Sequence, residues 1–197
     1  MNSRTYPLLA CALGCFSTVL FAEERRLALD QPAGLTAHNT TATAVTFKAK
    51  PALKLVTSGG ENAGRADHLM LVDGLAFSNG TIEVDLAGEP GTGAAGGARG
   101  FVGVAFRVQP DRKTYDCFYL RPTNGRAEDQ ERRNHSAQYI HHPDFPWSTL
   151  REKTPSRYES YVDIEPAEWI HVKIEVNGDK ARLYVNNQAQ QIGRAHV

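Results

Sequence analysis

Cysteine is nearly absent from this chain. Only three of its 197 residues are cysteine, and Cys11 and Cys15 fall in the apolar opening stretch, leaving Cys117 alone in the remainder. One thiol cannot close an intramolecular disulfide, so a packed core must hold the domain. That is feasible at this length, because the buried fraction of the surface rises with chain size. Surplus charge is absent too. Lysine plus arginine and aspartate plus glutamate number 22 each, a formal net charge of +0. Such a chain has no electrostatic reason to seek nucleic acid or an anionic membrane. A membrane-spanning helix needs about 20 consecutive apolar residues. The apolar stretch from Leu8 to Phe21 is shorter and is interrupted by Gly14, Ser17 and Thr18, so no membrane span is expected. Helical periodicity is scarce, and there is neither a nucleophile elbow nor a glycine loop leading through lysine into a helix. These absences argue against a serine hydrolase of that design and against a phosphate cradle. Cys117 has no base beside it in sequence that would activate it as a nucleophile.

The opening stretch reads as a secretory signal. Arg4 supplies a positive start, Leu8 to Phe21 the apolar segment, and Phe21-Ala22 before Glu23-Glu24 a small-residue cleavage point. Residues 1–22 are therefore expected to be removed and the domain to be exported, periplasmic or secreted. The alternative is a lipoprotein lipidated at Cys11 or Cys15. Removal takes away Arg4 and no acid, moving the net charge one unit negative. At the other end, Ile192-Gly193-Arg194-Ala195-His196-Val197 resembles the peptide encoded by a common sequencing adapter. This predicts a domain over residues 23–191, a non-native tail over 192–197, and final strands lost by truncation. A natural polar tail is the alternative reading.

What is present is strand pattern. Thr81 to Leu86 alternates, with Ile82, Val84 and Leu86 on one side. Trp169 to Val176 alternates likewise, with Ile170, Val172, Ile174 and Val176 inward. Asn177-Gly178 then offers a tight hairpin turn before Ala181, Leu183 and Val185. Further strands are expected at Val45–Lys48, Ala52–Thr57, His68–Leu71, Phe101–Val108, Tyr115–Leu120 and Tyr161–Ile164. Many short alternating strands separated by Gly, Pro and Asn indicate an all-β sandwich. Gly88 to Gly100 is Gly/Ala-rich and reads as a loop. The polar stretch Pro122 to Ser160 reads as a long loop, a feature that is often functional.

Four phrases carry a resemblance: Gly80-Thr81-Ile82-Glu83-Val84-Asp85, Gly100 to Arg107, Glu168 to Gly178, and Ala181-Arg182-Leu183-Tyr184-Val185-Asn186. In this order they resemble the concanavalin A-like lectin/glucanase superfamily, particularly its laminin-G-like and keto-disaccharide-hydrolase-like bacterial branches. The resemblance spans about Leu35 to Asn187 and implies a jelly-roll sandwich of two antiparallel sheets. It says little of function, since that fold hosts lectins, hydrolases and adhesion modules. Glu83-Val84-Asp85 followed by Glu89 is similar to the glucanase pattern of two glutamates flanking an aspartate. Retaining hydrolysis requires such carboxyls ~5 Å apart. Here Glu89 comes late, and an outward Glu83/Asp85 row is the ordinary character of a half-buried strand.

Alternation also divides the strand over Phe101 to Val108. Val102, Val104, Phe106 and Val108 form a core row, and Gly103, Ala105 and Arg107 the opposite one. On the next strand Phe118 and Leu120 join the core, while Tyr115, Cys117, Tyr119 and Arg121 turn away with Arg107. Small residues, tyrosines and arginines suit a concave sugar-binding face, because sugars stack on rings and accept from guanidinium forks. A wet sheet face with Arg–Asp pairs is the alternative. The segment Pro122–Tyr139 follows directly, and Arg133, Asn134, His135, Gln138 and Tyr139 are candidates for a polar gate over that face. Trp147 has two readings, an aromatic platform at the rim or a plug anchoring the loop.

His135, His141, His142 and Asp144 are near one another in sequence and of metal-ligating type. Adjacent histidines on a strand point to opposite faces, however, so no cofactor is expected. No Asp-x-Asp calcium loop is evident, although the resembled fold often carries structural calcium. The reading that follows is an exported carbohydrate-binding domain contacting its glycan through Arg107, Tyr119, Arg121, Arg133, Asn134, His135, Gln138, Tyr139 and Trp147. The alternatives are a glycoside hydrolase drawing its acid and base from Glu128, Asp129, Glu131 or His135, and an adhesion module docking to a protein.

Overall fold

The computed structural model describes residues 24–57 and 67–190. The expected signal segment 1–22 and tail 192–197 lie outside the described residues. In chain order the strands are β1 (Leu35–His38), β2 (Thr40–Phe47), β3 (Lys50–Thr57), β4 (Leu69–Val72), β5 (Gly80–Leu86), β6 (Val102–Phe106) and β7 (Tyr115–Leu120). They continue with β8 (Ala137–His142), β9 (Glu159–Ser160), β10 (Ile170–Asn177), β11 (Lys180–Val185) and β12 (Gln188–Ala189). Two short helices, α1 (Gln130–Asn134) and α2 (Trp147–Lys153), flank β8 in sequence. All strand pairs are antiparallel. Two four-stranded sheets, β12-β11-β10-β5 and β6-β7-β8-β9, are accompanied by the pairs β1-β4 and β2-β3. The fold is an all-β sandwich.

The core lies between the two larger sheets. Ile170, Val172, Ile174 and Val176 from β10, and Ala181, Leu183 and Val185 from β11, share one apolar cluster with Phe106, Phe118, Leu120 and Tyr139. Each fully buried large aliphatic side chain stabilises by about 1.5–3 kcal/mol. The β10–β11 hairpin forms one residue later than the dipeptide suggests. Asn177 pairs with Lys180, so Gly178-Asp179 is the two-residue loop, and Gly178 takes φ 57°. Glycine at the first central position is what such a turn favours.

The Gly/Ala-rich segment is a loop, and its base is pinned. A Cβ on Gly88 would lie 2.4 Å from the Gly100 carbonyl oxygen, and one on Gly100, at φ +66°, would lie 2.8 Å from Glu89 Cα. The two ends of the loop cross backbone to backbone, which only glycine permits.

Pro122–Ser160 departs from its reading as a long loop. It contains a turn of 3-10 helix (Pro122–Asn124), α1, β8, α2 and β9. β8 is an interior strand between β7 and β9, and Ala137, Gln138, Tyr139 and Ile140 are all buried. A strand buried on both faces does not alternate, and here a buried glutamine further disguises it. No strand forms at Tyr161–Ile164, where one was expected, although Val162 and Ile164 are buried.

Candidate functional site

Register places the site. Gly103 pairs with Tyr119, Tyr119 with Gln138, and Gln138 with Glu159, so these four residues form one row across β6-β7-β8-β9. The neighbouring row of Val104, Phe118 and Tyr139 belongs to the core, so the first row faces the other way. Glycine is required at position 103. A Cβ there would lie 2.3 Å from the Phe118 carbonyl oxygen and 2.6 Å from Tyr119 Cα.

Arg121 leaves β7 on the Tyr119 side and is itself buried. Its Nη1 donates to the His135 carbonyl (2.8 Å) and to Glu159 Oε1 (3.4 Å). Its Nη2 donates to the Tyr119 hydroxyl (2.9 Å) and to Gln138 Oε1 (3.1 Å). Burial lowers the Arg121 pKa, while Glu159 works in the opposite direction. The guanidinium also lies 5.0 Å from the Tyr119 ring centre and 5.9 Å from that of Phe101. Phe101 meets Tyr119 edge-on at 5.6 Å.

Glu159 is the hub. Its side chain is 3% exposed, and Arg151 forks onto it through Nε to Oε2 at 3.0 Å and Nη2 to Oε1 at 2.5 Å. This hydrogen-bonded pairing raises the Arg151 pKa. Arg151 comes from the last turn of α2, and its guanidinium lies 4.8 Å from the Trp147 ring centre at the other end of that helix. His135 Nδ1 lies 3.0 Å from Glu159 Oε2 without the alignment of a hydrogen bond. Burial pushes the His135 pKa down; Glu159 opposes this, and Arg151 and Arg121 reinforce it.

Above this network opens a cleft of about 510 Å³ bounded by Phe101, Tyr119, Arg121, His135, Trp147 and Arg151. Arg99, Asn124, Asp129, Glu131 and Arg132 complete its lining. Of the residues expected to contact a ligand, Tyr119, Arg121, His135 and Trp147 converge here, as do the acid candidates Asp129 and Glu131. Trp147 is 47% exposed and Leu150 only 3%, so the tryptophan stands at the rim and the leucine anchors α2.

The remaining candidates lie elsewhere. β6 ends at Phe106, and Arg107, at φ 55°, turns from the expected face. It donates to the carbonyls of Ser78 (2.9 Å) and Gly178 (2.6 Å) and approaches Asp116 at 3.7 Å. Arg133 donates to the carbonyls of Ala127 and Glu128 and to Gln130, holding the entry to α1 rather than the cleft. Asn134 Oδ1 accepts from Gln130. Gln138 is a buried bridge that donates to the Tyr139 and Tyr158 carbonyls. Tyr139 is in the core and donates to Asp116. Glu128 is exposed, and Asp129 caps α1 by accepting from the backbone N–H groups of Glu131 and Arg132.

Sequence reasoning missed Glu159 and Arg151. Both stand in a polar stretch with no periodic signal, and only the β8–β9 register and the folding back of α2 bring them to Arg121. Phe101 opens the expected strand Phe101–Val108 and Arg99 stands two residues before it, but neither carries a pattern that points to a cleft.

The three histidines considered for a metal take three different acids: His135 faces Glu159, His141 faces Asp116 and His142 faces Asp67. Among the described residues no group of three or more His, Cys, Asp or Glu side chains is arranged to hold a metal ion, and no helix is long and apolar enough to cross a membrane. Burial pushes the Cys117 thiol up to about 12. Asp85 of the glucanase-like phrase is on the other sheet, where His171 (3.0 Å) and Lys50 (3.4 Å) bond it and lower its pKa.

Among solved structures the chain is similar to a carbohydrate-binding module, CBM66, from Bacillus subtilis. The two are 17% identical with a TM-score of 0.55, over 83% of this chain and 80% of the other. The likeness is one of fold. No family model matches the chain, and no curated protein matches it.

Proposed function

We propose that this chain is an exported carbohydrate-binding domain that holds its glycan in the cleft over Tyr119, Arg121 and Trp147. The observation that carries the reading is the combination of aromatic rings and guanidiniums around one opening, with the guanidiniums held in place by a buried glutamate. Tyr119, Phe101 and Trp147 supply apolar surface for the C–H faces of a sugar ring. Arg151, whose Nε and Nη2 are held on Glu159, supplies Nη1 as a donor for its oxygens, and Arg121 fixes the floor of the opening. Because Glu159 already orders both guanidiniums, little side-chain freedom is lost when a ligand binds. The opening falls within the ~300–1,000 Å³ of ordinary ligand sites. The carbohydrate-binding module of similar fold supports the same reading.

The test is a glycan array run with the chain lacking residues 1–22, in parallel with an assay for reducing sugar released from the same polysaccharides. Binding without release is the expected outcome, with binding lost in Arg121→Ala and Tyr119→Ala. Release abolished by His135→Ala or Glu131→Gln would replace this reading with a glycoside hydrolase. Neither signal would redirect it to a protein-docking module.

A further inference from the structure

Building on the reading of the cleft as a glycan site, we infer that its ligand is an acidic glycan, a carboxylate- or sulfate-bearing sugar whose anion meets the arginines at the opening.

The guanidinium donors around the cleft are only partly used within the protein. Four arginines line the cleft, Arg99, Arg121, Arg132 and Arg151, against two lining acids, Asp129 and Glu131. The hub carboxylate of Glu159 is shared between Arg151 and Arg121, and Arg121 spends both its Nη groups inside the protein. Arg132 donates through Nε to Asn124 and through Nη2 to Thr123. Among the described residues, no group accepts from Arg132 Nη1, from Arg151 Nη1 or from any part of the Arg99 guanidinium. Arg99 is nonetheless fixed at its backbone, where its carbonyl accepts from Thr123 N–H at 3.3 Å. The opposing acids are less available. Asp129 Oδ1 accepts two backbone N–H groups at the start of α1, which leaves Glu131 as the one rim carboxylate with no hydrogen bond or ion pair among the described residues.

This surplus is local. The chain as a whole is neutral, and a second, smaller cleft has the opposite character, with Arg126 paired to Asp163 and Glu165 beside Glu168. A neutral sugar uses guanidinium donors through its hydroxyls. An anion uses them through shorter, charge-assisted bonds that also answer the uncompensated charge, and a planar carboxylate fits the fork two-pronged.

The experiment uses polymer pairs that differ only in charge. One pair is demethylesterified and fully methyl-esterified homogalacturonan, and the other is a sulfated galactan and its desulfated form. Both are titrated against the full chain and against Arg99→Gln. Tighter binding to the acidic member of either pair, by about tenfold, is expected from one or two charge-assisted bonds. The pair that responds tells carboxylate from sulfate. The preference should shrink several-fold between about 50 and about 500 mM salt, because exposed charges are screened. It should largely vanish in Arg99→Gln with the melting temperature unchanged. Arg126→Ala, outside the cleft, should retain it. Equal affinity within both pairs, or equal loss in Arg126→Ala, would overturn the inference and leave the glycan site standing. Failure to bind any neutral or acidic glycan on a broad array would overturn the site assignment itself, and the inference with it.

Discussion

The two ends of β7 carry similar sets of residues to different ends. At one end Asp116 accepts from the Tyr139 hydroxyl at 2.5 Å, faces His141 Nδ1 at 3.0 Å and approaches Arg107 at 3.7 Å. At the other, Glu159 takes Arg151 and Arg121, with His135 Nδ1 at 3.0 Å and the Tyr119 hydroxyl one bond further on. Each is a buried carboxylate with arginine, histidine and tyrosine. What separates them is the sheet face and the fate of the spare donors. Asp116 shares the face of Phe118, and Arg107 Nε and Nη2 end on the carbonyls of Ser78 and Gly178, while its Nη1, 3.7 Å from Asp116, is buried without a hydrogen-bond partner among the described residues, so this network stays inside the protein. Glu159 shares the face of Tyr119, and its arginines open into a cleft. Residue types alone therefore do not mark a binding site. The proposed site differs in having donors left over at a surface opening.

Removing each carboxylate separates the two networks most sharply. Glu159→Ala strands Arg121 with its charge buried and unpaired, a loss of about 3–5 kcal/mol. Urea unfolding should show that loss, and calorimetric titration should show no glycan binding by the fraction that remains folded. Asp116→Ala should cost somewhat less, about 2–4 kcal/mol, because Arg107 keeps its carbonyl partners. Its glycan affinity should equal that of the parent, and a loss of binding there would erase the distinction between the two networks.

Gly103→Ala tests the platform beneath Tyr119. The added methyl meets backbone on the neighbouring strand, so about 1–3 kcal/mol of stability should be lost together with measurable affinity. Trp147→Ala removes a half-exposed ring. The melting temperature should barely move, while glycan affinity falls by about tenfold, a stacking contribution of about 1–1.5 kcal/mol.

The smallest effect is a pH dependence at the Glu159 end. His135 titrates below its ordinary 6.5 because burial disfavours its charged form, with Arg151 and Arg121 adding to the shift and Glu159 opposing it. Below 6.5 the unfolded chain therefore binds more protons at this residue than the folded one. The His135 contribution to stability is complete above that pH and is lost as the pH falls through the lowered folded value. Melting curves across this window should be flatter in His135→Gln, and an unchanged slope would remove His135 from the account.

Much of the frame is legible along the chain. Alternation alone identifies the core rows of β5, β10 and β11, locates the β10–β11 hairpin to within one residue, and puts Tyr119 and Arg121 on the face away from Phe118. These are local properties, since side chains on a strand alternate whatever it pairs with. Nonlocal pairing decided the rest. β8 is buried on both faces and shows no alternation, so its place inside the sheet exists only through its ladders with β7 and β9. Glu159 and Arg151 belong to a polar stretch that reads as solvated until register and α2 bring them against Arg121. A single positive φ at Arg107 carries that side chain from the predicted face to the Asp116 network. Local alternation is enough to say which residues seek the core. Which charges meet depends on long-range packing, because burying a charge is tolerable only beside a partner that another segment of the chain must deliver.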